Sequence, residues 1–221
     1  MLNNNELIAK ISKEVLQRLN DIDNHKIVVG VSNRHIHLSK EDLESLFGKD
    51  YELTVKSTLK QPGQFAAEEC VTIRGPKGEF NNVRILGPTR KKSQVEISLT
   101  DSFKLGVKAP IKESGKLQGT PGIQVIGPCG RINMPEGTII ALRHIHMTPE
   151  DAKFMDVKDG DFVDVQFFGE RKAVMGNVLI RVSDKYKLEM HLDTDEANAV
   201  GIKNNDYVVL KKFTRWEIDK E

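Results

Sequence analysis

The chain has 221 residues, of which 29% are charged, and a formal net charge of +1. This length allows one large or two small domains, and the near-neutral charge gives no electrostatic case for a nucleic-acid or membrane partner. No apolar run approaches the ~20 residues that span a bilayer, residues 1–5 do not resemble a secretory signal, and Cys70 and Cys129 are the two cysteines. We therefore expect a cytoplasmic protein without a disulfide framework.

Apolar residues recur at helical spacing between residues 6 and 20, which predicts an amphipathic helix within an N-terminal segment, residues 1–20. Residues 21–26 are polar and are interpreted as a linker. Such a helix can pack on the body of the protein or pair two subunits in a homo-oligomer. It can also lay its apolar face on a partner protein.

The rest of the chain consists mainly of short predicted strands separated by turns. The tetrapeptide at residues 75–78 (GPKG) predicts a hairpin, and no P-loop or dinucleotide-binding fingerprint is present. Strands of this length favour small barrels over a layered α/β sheet. The predicted strands are 27–31, 70–74, 80–86, 94–99, 122–126, 138–142, 162–167, 174–182 and 207–211.

The tetrapeptide Arg-His-Ile-His occurs twice, at residues 34–37 and 143–146. Each copy follows a predicted strand and precedes a short helix, at Lys40–Phe47 and Pro149–Met155, for which Ser39 and Thr148 are suitable N-caps. Two copies of one supersecondary unit indicate an internal duplication.

Each copy also predicts metal binding. Alternate residues of a strand project from the same face, so both imidazoles of each pair point to one place, and neutral imidazole is the commonest metal ligand. The alternative is a duplicated surface strand without a function. The four candidate ligands are His35, His37, His144 and His146.

Two further residues are candidates for completing the ligand set. His191 follows a strand pattern, whereas His25 lies in the polar linker and is not expected to contribute. Glu96 lies on the polar face of the strand predicted at 94–99, with Val95, Ile97 and Leu99 on the other face; its simplest interpretation is a solvent-facing residue. Histidines with a carboxylate suit zinc or another borderline metal.

Other reactive groups carry weaker signals. Cys129 lies in a turn without a neighbouring base, so an inert cysteine is favoured over a nucleophile. Arg84 and Arg90 flank a Gly-Pro turn. Guanidinium groups suit phosphate because they donate two parallel hydrogen bonds, although ordinary surface charge explains these arginines equally well.

Four segments together resemble the propanediol-utilisation phosphotransacylases (PduL type): residues 30–39 (GVSNRHIHLS), 61–69 (QPGQFAAEE), 85–88 (ILGP) and the second Arg-His-Ile-His. The resemblance covers about residues 27–210. It implies a mainly β fold with short helices, in which two pseudo-symmetric β-barrel domains, 27–130 and 131–221, arise from the duplication. It also implies two zinc ions and the interconversion of acyl-CoA and phosphate with acyl phosphate and CoA.

The resemblance further implies roles for individual residues. His35 and His37 would hold one zinc ion, and Arg90 would bind phosphate. The second zinc ion would be held by Glu96, His144, His146 and His191, and the CoA pocket would be lined by Val31, Ser32, Asn33, Arg84 and Asn198. The N-terminal segment is similar to the family's docking peptides, which implies bacterial microcompartment shell or core proteins as partners.

We therefore expect a phosphate acyltransferase, with propanoyl-CoA the favoured substrate, in which phosphate attacks the thioester directly with assistance from the metal. Two other classes stay open at this stage. A zinc-dependent hydrolase or thioesterase could use the same ligands, and a non-catalytic zinc-binding scaffold could use the repeat structurally. The scaffold is less favoured, because structural zinc sites are usually closed by four protein ligands.

Overall fold

The structure is a computed structural model that describes residues 26–211, together with residue 8 and residues 10–12. The predicted helix at residues 6–20 and residues 21–25 of the predicted linker otherwise lie outside the described residues. The described chain is mainly β with short helices, as the sequence predicts. No helix among these residues is long and apolar enough to cross a membrane.

Fifteen strands and four helices lie within residues 26–211. The strands are β1 (Ile27–Ser32), β2 (His35–His37), β3 (Val55–Thr58), β4 (Phe65–Arg74), β5 (Glu79–Gly87), β6 (Gln94–Glu96), β7 (Ile111–Lys112), β8 (Ile123–Ile126), β9 (Arg131–Met134), β10 (Thr138–Ala141), β11 (His144–Met147), β12 (Phe162–Phe167), β13 (Ala173–Val182), β14 (Glu189–Asp193) and β15 (Tyr207–Lys211). The helices are α1 (Lys40–Phe47), α2 (Leu99–Leu105), α3 (Pro149–Met155) and α4 (Thr194–Val200).

The strands form two sheets, one closed and one open. The closed barrel has the order β1-β14-β11-β13-β12-β15. The other sheet is a curled half-barrel of nine strands in the order β7-β10-β6-β2-β5-β4-β8-β9, with β3 added beside β4. Each sheet covers its own apolar core, one including Val29 and Ile145, the other including Ile36 and Val95.

Each half of the chain contributes strands to the sheet that the other half mainly forms. Strand β1 pairs in parallel with β14 in the closed barrel, and the chain then crosses at residues 33–34 into β2 of the open sheet. Strand β10 pairs in parallel with β6 in the open sheet, and the chain crosses back at residues 142–143 into β11 of the barrel. Both copies of Arg-His-Ile-His therefore begin where the chain passes from one sheet to the other.

The arginine of each copy stabilises its crossing. Arg34 donates from Nε and Nη2 to both carboxylate oxygens of Asp101, at 2.9 and 2.7 Å. At the other crossing, Nη1 of Arg143 lies 3.4 Å from Oε1 of Glu196. Asp101 and Glu196 occupy the same position, because each is the third residue of its helix, α2 and α4 respectively, and closes the capping box there. The duplication thus extends to the ion pairs that hold the crossings.

The helices that follow the two tetrapeptides, α1 and α3, have the bounds and the N-caps that the sequence predicts. The strand predicted at residues 94–99 is wrong in its second half, because β6 ends at Glu96. Ser98 and Asp101 form a capping box that starts α2 at Leu99, whose side chain is 52% exposed rather than buried.

Candidate metal centre and active-site cleft

A cleft with a volume of about 750 Å³ lies where the two crossings meet. The cleft is lined by all but one of the predicted site residues, namely Val31, Ser32, Asn33, His35, His37, Arg84, Arg90, Glu96, His144, His146 and His191. Asn198 is exposed on α4 and is not among the lining residues, and its backbone oxygen accepts a hydrogen bond from Arg171 at 3.1 Å.

The first group of candidate ligands consists of His35, His37 and Glu96, whose ligand atoms all lie within 4.8 Å of one another. Strand β2 lies between β5 and β6, and His35 is directly opposite Glu96 across the β2–β6 ladder. The Nε2 atom of His35 lies 3.5 Å from Oε2 of Glu96. Glu96 is largely buried, with 12% of its side chain exposed, so it is not a solvent-facing strand residue.

The second group consists of His144, His146 and His191. Their ring centroids are 4.6 to 5.0 Å apart, and the rings of His144 and His191 are stacked. His144 lies opposite His191 across the β11–β14 ladder, just as His35 lies opposite Glu96 in the other half. Glu96 and His191 therefore hold equivalent positions in the duplication.

Backbone contacts orient three of the imidazole rings. The Nδ1 atoms of His35 and His144 lie 2.9 and 2.8 Å from the carbonyl oxygens two residues earlier, and Nδ1 of His37 lies 3.0 Å from the oxygen of Leu86. A ring that donates from Nδ1 to a carbonyl oxygen keeps its lone pair on Nε2, which is the arrangement found in metal-binding histidines.

Burial keeps His37, His144 and His146 uncharged at neutral pH. Desolvation, followed by the charge of a neighbouring histidine, lowers the pKa of His37 and of His144 to about 3, and that of His146 to about 2. Nδ1 of His146 is buried and forms no hydrogen bond to the described residues, whereas Nε2 of His191 lies 3.1 Å from Oε2 of Glu189. Neutral imidazoles, one of them with a buried nitrogen that has no hydrogen-bond partner, fit a divalent metal ion.

Glu96 stays ionised despite its burial. Burial raises the pKa of its carboxyl, but the adjacent imidazoles of His35 and His37, the charge of Arg90 and a hydrogen bond from Ser114 outweigh that effect and lower the pKa. The carboxylate also offsets a small part of the lowering of the pKa of His144, which belongs to the second histidine group. Glu96 therefore interacts electrostatically with both groups, whereas the resemblance assigns it to the second one alone.

Arg90 is half-buried at the edge of the first group. Its Nη1 donates to Oγ of Ser114 at 3.1 Å, and that hydroxyl donates to Oε1 of Glu96 at 3.0 Å. Arg84 differs from Arg90, because its Nη1 donates to the backbone oxygens of Ala67 and Glu68 at 2.8 and 2.7 Å. Arg90 is therefore the arginine whose guanidinium is directed to the candidate ligands.

Several cleft residues were not predicted from the sequence. Arg181 lies beside His146 on β13, and the ring of Tyr186 packs 4.2 Å from that of His146. Ser114 comes from the loop after β7, and Gln61 reaches across the halves to donate to Oε2 of Glu189 at 3.0 Å. Arg181, Tyr186 and Ser114 lie in no repeated or chemically distinctive motif, and Gln61, although it begins the segment 61–69, carries no chemical signal of its own. Only the strand register and the loop paths therefore place these residues in the cleft.

The comparisons with known proteins all point to the same protein family. A sequence model of the family described as phosphate propanoyltransferase matches residues 28–203. The chain is 57% identical to the phosphate propanoyltransferase of Thermotoga maritima, over 85% of this chain and 90% of that protein. It is 51% identical to that of Rhodobacter capsulatus, over 93% and 97% of the two chains, and 50% identical to that of Salmonella typhimurium, over 88% and 95%.

Proposed function

The chain belongs to the phosphate propanoyltransferase family, and on this premise we propose that it transfers a short acyl group between CoA and phosphate. The C–S bond of the acyl-CoA thioester breaks, a C–O bond to phosphate forms, and CoA leaves as the thiolate and takes up a proton. Propanoyl-CoA is the favoured substrate. The observation that carries the proposal is the convergence of two candidate ligand groups and Arg90 in one cleft.

The candidate ligands are proposed to hold two zinc ions. His35 and His37 would bind one, and the other would be bound by Glu96, His144, His146 and His191, with the carboxylate of Glu96 near enough to both groups to influence each. Neutral imidazole and carboxylate donors without thiolate suit this metal. When bound, zinc supplies Lewis-acid polarisation of the thioester carbonyl and stabilises the departing sulfur.

Arg90 is proposed to bind and orient the phosphate. Its guanidinium lies at the edge of the first ligand group and is held there by Ser114. A phosphate fixed beside the thioester attacks as if the reaction were intramolecular, which removes much of the entropic cost of a bimolecular step. This geometry supports direct attack by phosphate. Among the cleft-lining residues there is no cysteine to form an acyl-enzyme intermediate.

CoA is proposed to enter along the first crossing. Val31, Ser32 and Asn33 line the cleft there, and Arg84 lies next to His35 on β5. The placement of these residues beside the first ligand group would bring the CoA sulfur close to the histidines. Asn198 remains a proposed CoA-binding residue at the exposed surface of α4.

The proposal is tested by measuring CoA release from propanoyl-CoA with and without phosphate. We expect release that needs phosphate or arsenate, is lost on chelation and returns with zinc. Release with water alone would indicate a thioesterase instead. A metal-loaded protein that releases no CoA from acyl-CoAs of any chain length would be a zinc-binding scaffold.

We also propose that residues 1–20 direct the enzyme to a bacterial microcompartment by docking on a shell or core protein. Their amphipathic pattern supports this role, because a short helix with one apolar face is a common docking element. The same segment is the proposed contact if the enzyme forms a homo-oligomer.

A further inference from the structure

Arg181 lines the cleft beside the second ligand group. It lies on β13 directly opposite His146 in the β11–β13 ladder, and 23% of its side chain is exposed. We propose that Arg181 is a second phosphate-binding residue, which together with Arg90 holds the transferred phosphate from two sides. This inference rests on the acyltransferase function proposed above, and it adds a substrate contact that neither the sequence nor the family resemblance assigns.

The guanidinium of Arg181 is available to a ligand. Its Nε lies 3.7 Å from Oε1 of Glu113, which is beyond hydrogen-bond distance, whereas the other oxygen of Glu113 is 2.5 Å from Lys116. The side chain of Arg181 forms no hydrogen bond to any residue between 26 and 211, and its guanidinium carbon lies 5.8 Å from the centre of the Tyr186 ring. Both terminal amino groups can therefore donate to a phosphate, in the two-pronged geometry that guanidinium favours.

Arg181 and Arg90 face a common space. Both side chains line the same cleft, where burial lowers the pKa of Arg90 and the charge of Arg181 lowers it further. Like charges repel across a partly buried cleft unless an anion lies between them. Glu96 compensates Arg90, whereas Glu113, the acidic partner of Arg181, is shared with Lys116, so the cleft retains a positive charge that an anionic substrate would neutralise.

The duplication shows that the fold does not need an arginine at this position. In the first half, Arg84 and Ile85 pair with His35 and Ile36, so the next residue in register, Leu86, lies beside His37. Arg181 lies beside His146 in the second half, and Leu86 is therefore its counterpart. The backbone oxygen of Leu86 contacts the ring of His37, while its side chain is apolar. A leucine thus serves the same strand position in one half, and the arginine in the other half breaks the symmetry at the site of the chemistry.

The test compares zinc-loaded Arg181→Ala and Arg181→Lys with Arg131→Ala, a control on the exposed strand β9. Loss of one bidentate charged contact should raise the KM for phosphate, and for arsenate, about tenfold or more, with the KM for propanoyl-CoA changed less than about twofold. Lysine should restore part of the loss, and the control should match the wild type. An unchanged phosphate KM in Arg181→Ala, or an equal rise in both KM values, would overturn the inference.

A second measurement needs no variant. Phosphate should protect Arg181 and Arg90 of the wild-type enzyme from an arginine-modifying dicarbonyl, read by peptide mass spectrometry, and should leave Arg131 labelled as before. Labelling of Arg181 that phosphate does not reduce would contradict the inference even if the variants fail to fold. If CoA release in the wild type is independent of phosphate, the proposed function fails, whereas the labelling result still decides whether Arg181 binds phosphate.

Discussion

Lowering the pH should unfold the metal-free protein because of its buried histidines. Unfolded histidine has a pKa of about 6.5, whereas the folded pKa is about 3 for His37 and His144 and about 2 for His146. Between these values the unfolded state binds more protons than the folded state. Stability is therefore fully present above pH 6.5 and is lost progressively as the pH falls.

The size of the effect follows from the shifts. At pH 5, 1.5 units below the unfolded pKa, each of the three histidines costs about 2 kcal/mol, or about 6 kcal/mol together. A domain is typically stable by about 5–15 kcal/mol, so much of that stability would be lost. The pKa of Glu96 is lowered, so its contribution is present above the unfolded value of about 4.5 and is lost only at lower pH. Glu96 therefore adds little in this window.

The assay is thermal unfolding of the chelated protein at pH 7 and pH 5 at constant ionic strength. At about 2–4 °C per kcal/mol for a chain of this size, we expect the Tm to fall by about 12–24 °C. His37→Gln should remove about a third of this pH dependence, and His25→Gln, in the predicted linker, should leave it unchanged. A Tm that hardly changes between pH 7 and pH 5, or a His37→Gln variant with the wild-type slope, would refute the reasoning.

The remaining predictions concern catalysis and recruitment. Cys70→Ser and Cys129→Ser should keep wild-type turnover, and labelled CoA should not exchange into acyl-CoA without phosphate. Such exchange, or the loss of turnover in a folded cysteine variant, would indicate an acyl-enzyme intermediate. Arg90→Ala should raise the KM for phosphate about 10- to 100-fold, because it removes a charged contact of about 1.5–3 kcal/mol; an unchanged phosphate dependence would refute that role. Deleting residues 1–20 should leave turnover intact but abolish co-assembly with shell proteins, and unchanged packaging would argue against the docking role.

Local signals predicted local structure well. Ser39 and Thr148 mark the starts of α1 and α3 because a side-chain cap and an acidic first turn act within a few residues. The repeated tetrapeptide also revealed the duplication and four candidate ligands. The helix α2 was missed because the alternation of Val95, Ile97 and Leu99 suggested a continuing strand. Ser98 and Asp101 nevertheless carry the capping-box signal for the start of a helix.

Non-local features could not be read from the sequence. The exchange of β1 and β10 between the two sheets depends on which strands pair, and strand pairing is set by packing across the whole fold. Arg181 reaches the cleft only through its register beside His146, and Ser114 only through the path of its loop. The position of Glu96 beside His35 and His37 likewise follows from the pairing of β6 with β2.

The central claim is that phosphate, and not water, receives the acyl group in a metal-dependent reaction. The most direct measurement is ³¹P NMR of the zinc-loaded enzyme with propanoyl-CoA and inorganic phosphate, repeated after chelation. We predict a propanoyl phosphate resonance that grows in step with free CoA, disappears in the chelated sample and returns with zinc. Release of CoA with propanoate and no acyl phosphate, or equal formation of acyl phosphate in the chelated sample, would contradict the account.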